Sequence, residues 1–218
     1  MSILIYAESS EGKFKKVAFE LASYAKKVAE SLGTSVTAVT INATNVTELA
    51  KYGVDKVLKV NNDALAGFSA KAYSNIIKQA ALKEGAKVVV LSTTTDSMYL
   101  SGLVAVGLNA GFASNVVGLP VSTTPFQVKR TAFSNKAFNI TEITTEVKVI
   151  GLAKNSYGIV ECNGSLTEED FNPAIDAADF NVKVTATEKS SGKVSIADAD
   201  IVVSGGRGLK GPENWGMI

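Results

Sequence analysis

Four short runs of nearly continuous apolar residues, separated by stretches with helical periodicity, constrain this chain more than any other feature. Ile3 to Tyr6, Val36 to Ile41, Val57 to Val60 and Lys87 to Ser92 are dominated by Val, Ile, Leu and Ala, the pattern of strands covered on both faces. Between the first two runs, Phe14, Val17, Ala18, Leu21, Ala25 and Val28 recur at helical spacing. Lys13, Lys16, Glu20, Lys27 and Glu30 take the opposite, solvent face, and Gly33 supplies a stop. A short helix over Val46 to Tyr52, closed by Gly53, and a helix over Ala70 to Glu84 with Tyr73, Ile76, Ile77 and Ala80 inward fill the next two intervals. Parallel strands need a crossover, and a helix returns the chain to the same sheet with the right hand. The first half is therefore predicted to be α/β, a Rossmann-like doubly wound parallel sheet. The polar turn Glu8-Ser-Ser-Glu-Gly12 should offer Ser9 and Ser10 as helix caps.

The pattern changes further along. Ser97 to Ala110 carries no charged residue, which predicts a helix buried on most sides or pressed against another subunit. After Pro120, the runs Phe126 to Phe133, Ala137 to Ile143 and Glu146 to Ala153 are rich in Thr, Val, Ile and Phe, with turn residues between them. They predict an added antiparallel β region or a projecting hairpin. Phe180 to Thr187 reads as one more strand, Glu188 to Lys193 as a linker, and Ile201 to Val203 as the first strand of something new. The division expected is residues 1–190 and residues 191–218.

Composition removes whole classes of chemistry. With 22 basic and 21 acidic residues, the chain lacks the basic excess that nucleic acid or an acidic membrane surface requires. It contains no histidine, which excludes Ser-His-Asp and Cys-His nucleophile systems and HExxH zinc sites within the chain. The lone Cys162 can form neither an intramolecular disulfide nor a cysteine-cluster metal site, and reads as a small buried or half-buried hydrophobe in a reducing compartment. No signal peptide and no membrane-length apolar run is evident, so a cytoplasmic protein without membrane insertion is expected.

One motif stands out. Gly206-Arg-Gly-Leu-Lys-Gly211 fits GxGxxG, preceded by a predicted strand and followed by Pro212 at a helix-start position. The dinucleotide fingerprint also needs a full helix, a second strand and a later acidic residue, and the chain ends at Ile218. A plain glycine turn explains the pattern as well, but not Arg207. A guanidinium held on such a turn suits an anionic or electron-accepting ligand. Three other stretches are weaker. Glu8 to Lys13 lies at the carboxyl end of the first strand, where open sheets bind ligands, yet is read as a solvated helix cap. Thr93-Thr-Thr-Asp96 could hold a phosphate with hydroxyls and helix amides, or form only a capped turn. Glu168-Glu-Asp170 is read as a solvated face or helix N-terminus rather than a catalytic pair.

The stretch from Ala199 to Trp215, ADIVVSGGRGLKGPENW, resembles the signature of the electron transfer flavoprotein α subunits at the start of their FAD-binding domain. Ile3 to Glu8, Asp55 to Leu58 and Leu108 to Asn115 add to the similarity. The resemblance implies an adenine-nucleotide-hydrolase-like N-terminal domain without a nucleotide of its own, and FAD in the next domain. It implies an electron carrier rather than a catalyst with its own substrate, and no metal. The expected partners are a β subunit and flavin dehydrogenases such as acyl-CoA dehydrogenases, with delivery to a quinone reductase or other acceptor. Arg207 then matches the arginine near the flavin ring, and Gly206 and Gly208 its flanking loop. The family usually carries arginines and an aspartate in the helix where this sequence has Met98, Tyr99, Leu103 and Gly107. Because the family's flavin domain continues well past the position of Ile218, residues 191–218 read as the first strand and loop of an incomplete FAD-binding domain, a cut fragment rather than a natural short form. This chain alone is expected to lack bound FAD. Two alternatives stay open: a nucleotide-binding module of the universal-stress type using the loops at Glu8 to Gly12 and Thr93 to Asp96, and a cofactor-free scaffold docking a partner through Leu100 to Leu108.

Overall fold

The computed structural model describes residues 2–182, 184–186, 196, 199 and 201–217. The chain divides into two compact units, Met1–Val184 and Thr185–Ile218.

The first unit is built on the alternation of strands and helices that the apolar runs dictate. Its strands are β1 (Ser2–Tyr6), β2 (Ser9–Ser10), β3 (Lys13–Phe14), β4 (Ser35–Ile41), β5 (Lys56–Val60), β6 (Val88–Ser92), β7 (Gly111–Val116), β8 (Ser122–Thr123), β9 (Phe126–Ala132), β10 (Ala137–Glu142), β11 (Lys148–Leu152) and β12 (Thr167–Asp170). Its helices are α1 (Lys16–Leu32), α2 (Ala70–Lys83) and α3 (Thr95–Gly107). The main sheet runs in the order β10-β9-β7-β11-β6-β1-β4-β5-β12, with β8 beside β9. From β1 the chain winds outward through β4 and β5, then returns to place β6 on the other side of β1, all in parallel. The winding reverses between β1 and β6.

Two apolar layers cover the sheet. On one face, Leu21, Tyr24, Ala25 and Val28 of α1 pack on Ile3, Ile5, Val36 and Val90. On the other, Ile76 and Ile77 of α2 and Leu100 and Val104 of α3 pack on Leu4, Val39, Leu58 and Val89. Gly33 ends α1 in the left-handed region at φ 62°, as its position after the periodic run predicts. Gly53 closes the 3-10 helix Val46–Tyr52 at φ 90°, and a Cβ there would lie 2.4 Å from Lys26 Cγ.

Several local expectations are corrected. Glu20 is not on a solvent face. It is buried under the loop after β11, its carboxylate accepting the N–H groups of Asn155 (2.9 Å), Tyr157 (3.0 Å) and Gly158 (3.0 Å). Ser9 and Ser10 do not cap α1: they lie in the β2–β3 hairpin, Ser9 Oγ donates to the Ile41 carbonyl, and Lys15 stands at the helix start without a side-chain cap. Of the three β-rich runs, β9 and β10 form the antiparallel hairpin, but β11 inserts between β6 and β7 as a buried parallel strand. Its Val-Ile-Gly-Leu core fits a position covered on both faces. Glu168-Glu-Asp170 is neither a loop nor a helix end but edge strand β12, parallel to β5. Its acids pair with lysines: Glu169 with Lys56 and Lys83 at 2.7 Å each, Glu168 with Lys59 at 3.0 Å, and Asp170 with Lys59 at 3.3 Å. Phe180 ends the 3-10 helix Ala177–Phe180 instead of opening a strand, and packs against the α2–α3 layer. The linker read at Glu188 to Lys193 lies outside the described residues.

In the second unit Ile201 to Val203 join no ladder and are exposed. A strand needs a neighbour for its N–H and C=O groups, and three apolar residues without one have no reason to hold that form. Two 3-10 helices follow, Arg207–Leu209 and Pro212–Met217.

Candidate functional site

Two regions flagged by the sequence meet at the point where the winding reverses. The carboxyl end of β1 delivers Glu8, and the carboxyl end of β6 delivers Ser92 and the segment that starts α3. Glu8 is 2% exposed. Its Oε1 accepts hydroxyl hydrogen bonds from Ser92, from Thr94 at 2.7 Å and from Ser97 at 2.7 Å. Its Oε2 accepts from Lys15 Nζ at 3.2 Å. Thr94 also caps α3, its Oγ1 accepting from the Ser97 N–H at 3.2 Å, and Asp96 stands 4.0 Å from Lys15. Burial pushes the Glu8 carboxyl up, but the hydroxyls of Ser92, Ser97 and Thr94, with Lys15, outweigh it and hold the group below its ordinary range. Taken singly, Glu8 to Lys13 and Thr93 to Asp96 read as a helix cap and a capped turn, and only the nucleotide-module alternative uses the two loops together. The pairing of β1 with β6 brings them into one network centred on the Glu8 carboxylate.

The glycine loop lies in the second unit. Gly206 precedes the Arg207–Leu209 turn, which is closed by the Leu209 N–H donating to the Gly206 carbonyl at 3.0 Å and the Lys210 N–H to the Arg207 carbonyl at 3.1 Å. Lys210 adopts φ 61°, and Asn214 Nδ2 donates to the Leu209 carbonyl at 2.8 Å. A hollow of about 510 Å³ opens among Gly208, Leu209, Lys210, Glu213, Asn214 and Gly216. Gly208 lines it; Gly206 and Arg207 do not. Neither Gly206 nor Gly208 has a positive φ, and a Cβ at either would meet nothing within 4 Å. The chain's own packing therefore does not require glycine there. Arg207 is exposed and, among the described residues, has no carboxylate partner within ion-pair distance. Also among the described residues, no cluster of three or more His, Cys, Asp or Glu could hold a metal ion, and no helix is long and apolar enough to cross a membrane.

A sequence profile described as "Electron transfer flavoprotein domain" matches residues 3–186. The electron transfer flavoprotein subunit alpha of Syntrophomonas wolfei is 30% identical over 220 residues, covering 98% of this chain and 68% of that protein.

The chain belongs to the electron transfer flavoprotein family.

The subunit alpha of Thermoanaerobacterium thermosaccharolyticum is 27% identical over 226 residues, 99% of this chain and 68% of that one. A subunit named for an NAD- and ferredoxin-dependent lactate dehydrogenase, LctC of Acetobacterium woodii, is 25% identical across 99% of this chain and 53% of its own length. Two of these three relatives are named as electron transfer flavoprotein subunits and one as a dehydrogenase subunit. Of the two expectations for α3 in this electron transfer flavoprotein chain, burial on most sides or packing against another subunit, the first is not met within the chain. The helix buries Leu100, Val104 and Ala105 but leaves Met98, Tyr99, Leu103 and Val106 exposed, an uncharged apolar face on the outside of the unit.

Proposed function

We propose that this chain serves as an α-type electron transfer flavoprotein subunit, working with a β-type subunit around one FAD. The similarity to α subunits over nearly all of its length carries this reading. FAD, when bound, supplies the electron-accepting chemistry. Toward it the chain offers Gly206 and Gly208, whose missing side chains have no internal explanation and suit close approach of a ligand to the backbone, and Arg207, an exposed cation on the same turn. A unit positive charge about 4 Å from negative charge on the flavin contributes about 4 kcal/mol at an effective dielectric of 20 and about 1 in bulk water. Arg207 thus acts strongly only where the partner walls exclude water. The exposed face of α3 is where the partner subunit rests, and flavin dehydrogenases supply the electrons.

The test is co-expression of the tagged chain with the β-type subunit from the same organism, followed by absorption spectroscopy. The two should co-purify, the chain alone should carry no stoichiometric flavin, and Arg207→Ala should weaken flavin retention in the assembled protein. Failure to co-purify, together with tight binding of AMP or ATP by the chain alone, would favour the nucleotide-module reading instead.

A further inference from the structure

The network around Glu8 occupies the place in an open parallel sheet where ligands are ordinarily taken. Loops at the carboxyl ends of the strands flanking a winding reversal form a crevice, and a helix N-terminus beside it favours negative charge. Here that crevice lies between β1 and β6 at the start of α3, and the chain itself supplies an anion to it. One carboxylate oxygen takes three hydroxyls, those of Ser92, Thr94 and Ser97, and the other takes the Lys15 ammonium. Hydroxyls, an ammonium and a helix start are the donors that hold a phosphate. The three hydroxyls and the ammonium are spent inward on a group that is 2% exposed, while the Ser97 N–H at the helix start donates to Thr94 Oγ1.

We propose that Glu8 is a built-in counter-anion that occupies the switch-point site and excludes nucleotide phosphates from this half of the protein. A second anion arriving here would face the carboxylate charge and find each hydroxyl already donating. Glu8 therefore determines specificity by occupation: it keeps the N-terminal half free of nucleotide and stitches β1, β6, α3 and the segment before α1 together. The inference does not depend on the flavin proposal, because it concerns the first unit alone.

The experiment uses the full chain and two probes, inorganic phosphate and AMP, with thermal midpoint and calorimetry as readouts. Wild type should respond to neither at millimolar concentration. Glu8→Ala, checked for folding by circular dichroism, should gain a midpoint increase of roughly 2 °C or more with phosphate. A larger response to AMP than to phosphate would show that the vacated crevice also takes the nucleoside, and equal responses that it takes the phosphate only; both support the proposal. Adding Lys15→Ala should cut the gained affinity about tenfold. Glu8→Gln, which keeps the volume and removes the charge, should fold and stay unresponsive. Should Glu8→Ala fail to fold, Glu8→Ser is the second variant, and folding that depends on phosphate counts in favour. The proposal is overturned if wild type binds either probe in a Lys15-dependent manner, if folded Glu8→Ala binds neither, if Glu8→Gln responds as Glu8→Ala does, or if neither short variant is rescued by phosphate.

Discussion

Glu20 offers the sharpest test of how the first unit is held together. Its carboxylate bonds three backbone N–H groups on one turn, Tyr157 and Gly158 through Oε1 and Asn155 through Oε2. Hydrogen bonds to a charged acceptor contribute about 1.5 to 3 kcal/mol each. The sum is not the expected loss, because Asn155 and Gly158 are exposed and Tyr157 only half-buried, so water replaces part of what is removed. Glu20→Ala should therefore destabilise the chain by about 2 to 4 kcal/mol. Glu20→Gln keeps an oxygen for Tyr157 and Gly158 but turns an amide nitrogen toward the Asn155 N–H, donor against donor, and should cost about 1 to 2 kcal/mol. Urea unfolding reads both as a lowered midpoint at unchanged slope, and amide exchange should speed up at Asn155, Tyr157 and Gly158 before the rest of the unit. If both variants stay within about 0.5 kcal/mol of wild type, or if the glutamine is as damaging as the alanine, the bonds are not what ties the loop to α1.

Other consequences follow from single residues. Gly53→Ala should lose about 2 to 3 kcal/mol, since both its φ of 90° and a Cβ 2.4 Å from Lys26 Cγ oppose a side chain; Gly33→Ala, with φ 62° but open space, should lose about 1, and thermal melts compare them. Glu169 is held down from 4.5 to about 2 by Lys56 and Lys83. Because the folded group titrates below its ordinary value, its stabilisation of β12 is complete above about pH 5 and is lost as pH falls toward 2. Glu169→Gln should flatten the acid limb of the stability profile in that window. Val106→Glu, at an 80%-exposed position on the outer face of α3, should change the isolated chain's stability by less than about 0.5 kcal/mol while abolishing co-purification with a β-type subunit.

The alternation of apolar runs with helical periods made the parallel sheet, α1, α2 and the stops at Gly33 and Gly53 legible, because each depends on residues close in sequence. The motif around Arg207 was legible for the same reason. Glu20 was misplaced because helical periodicity assigns a face without knowing that a loop 135 residues away brings N–H groups to it. Lys148 to Leu152 looked like its antiparallel neighbours, since a β-rich run does not reveal which strand it will join. Glu168 and Asp170 of β12 are exposed, as the solvated reading expects, but the lysines beside the three acids come from β5 and α2, and that pairing is not written in the local sequence.

The amino-acid order by itself settled the layer architecture of the first unit, the exclusion of histidine chemistry and the family resemblance, all of which depend on composition and on short-range spacing. The tertiary structure alone decided that Glu8 meets Ser92, Thr94 and Ser97, that Glu20 is an internal acceptor, and that α3 keeps one apolar face outside. Those outcomes depend on which strands pair, and pairing between distant segments is fixed by the packing of the whole sheet.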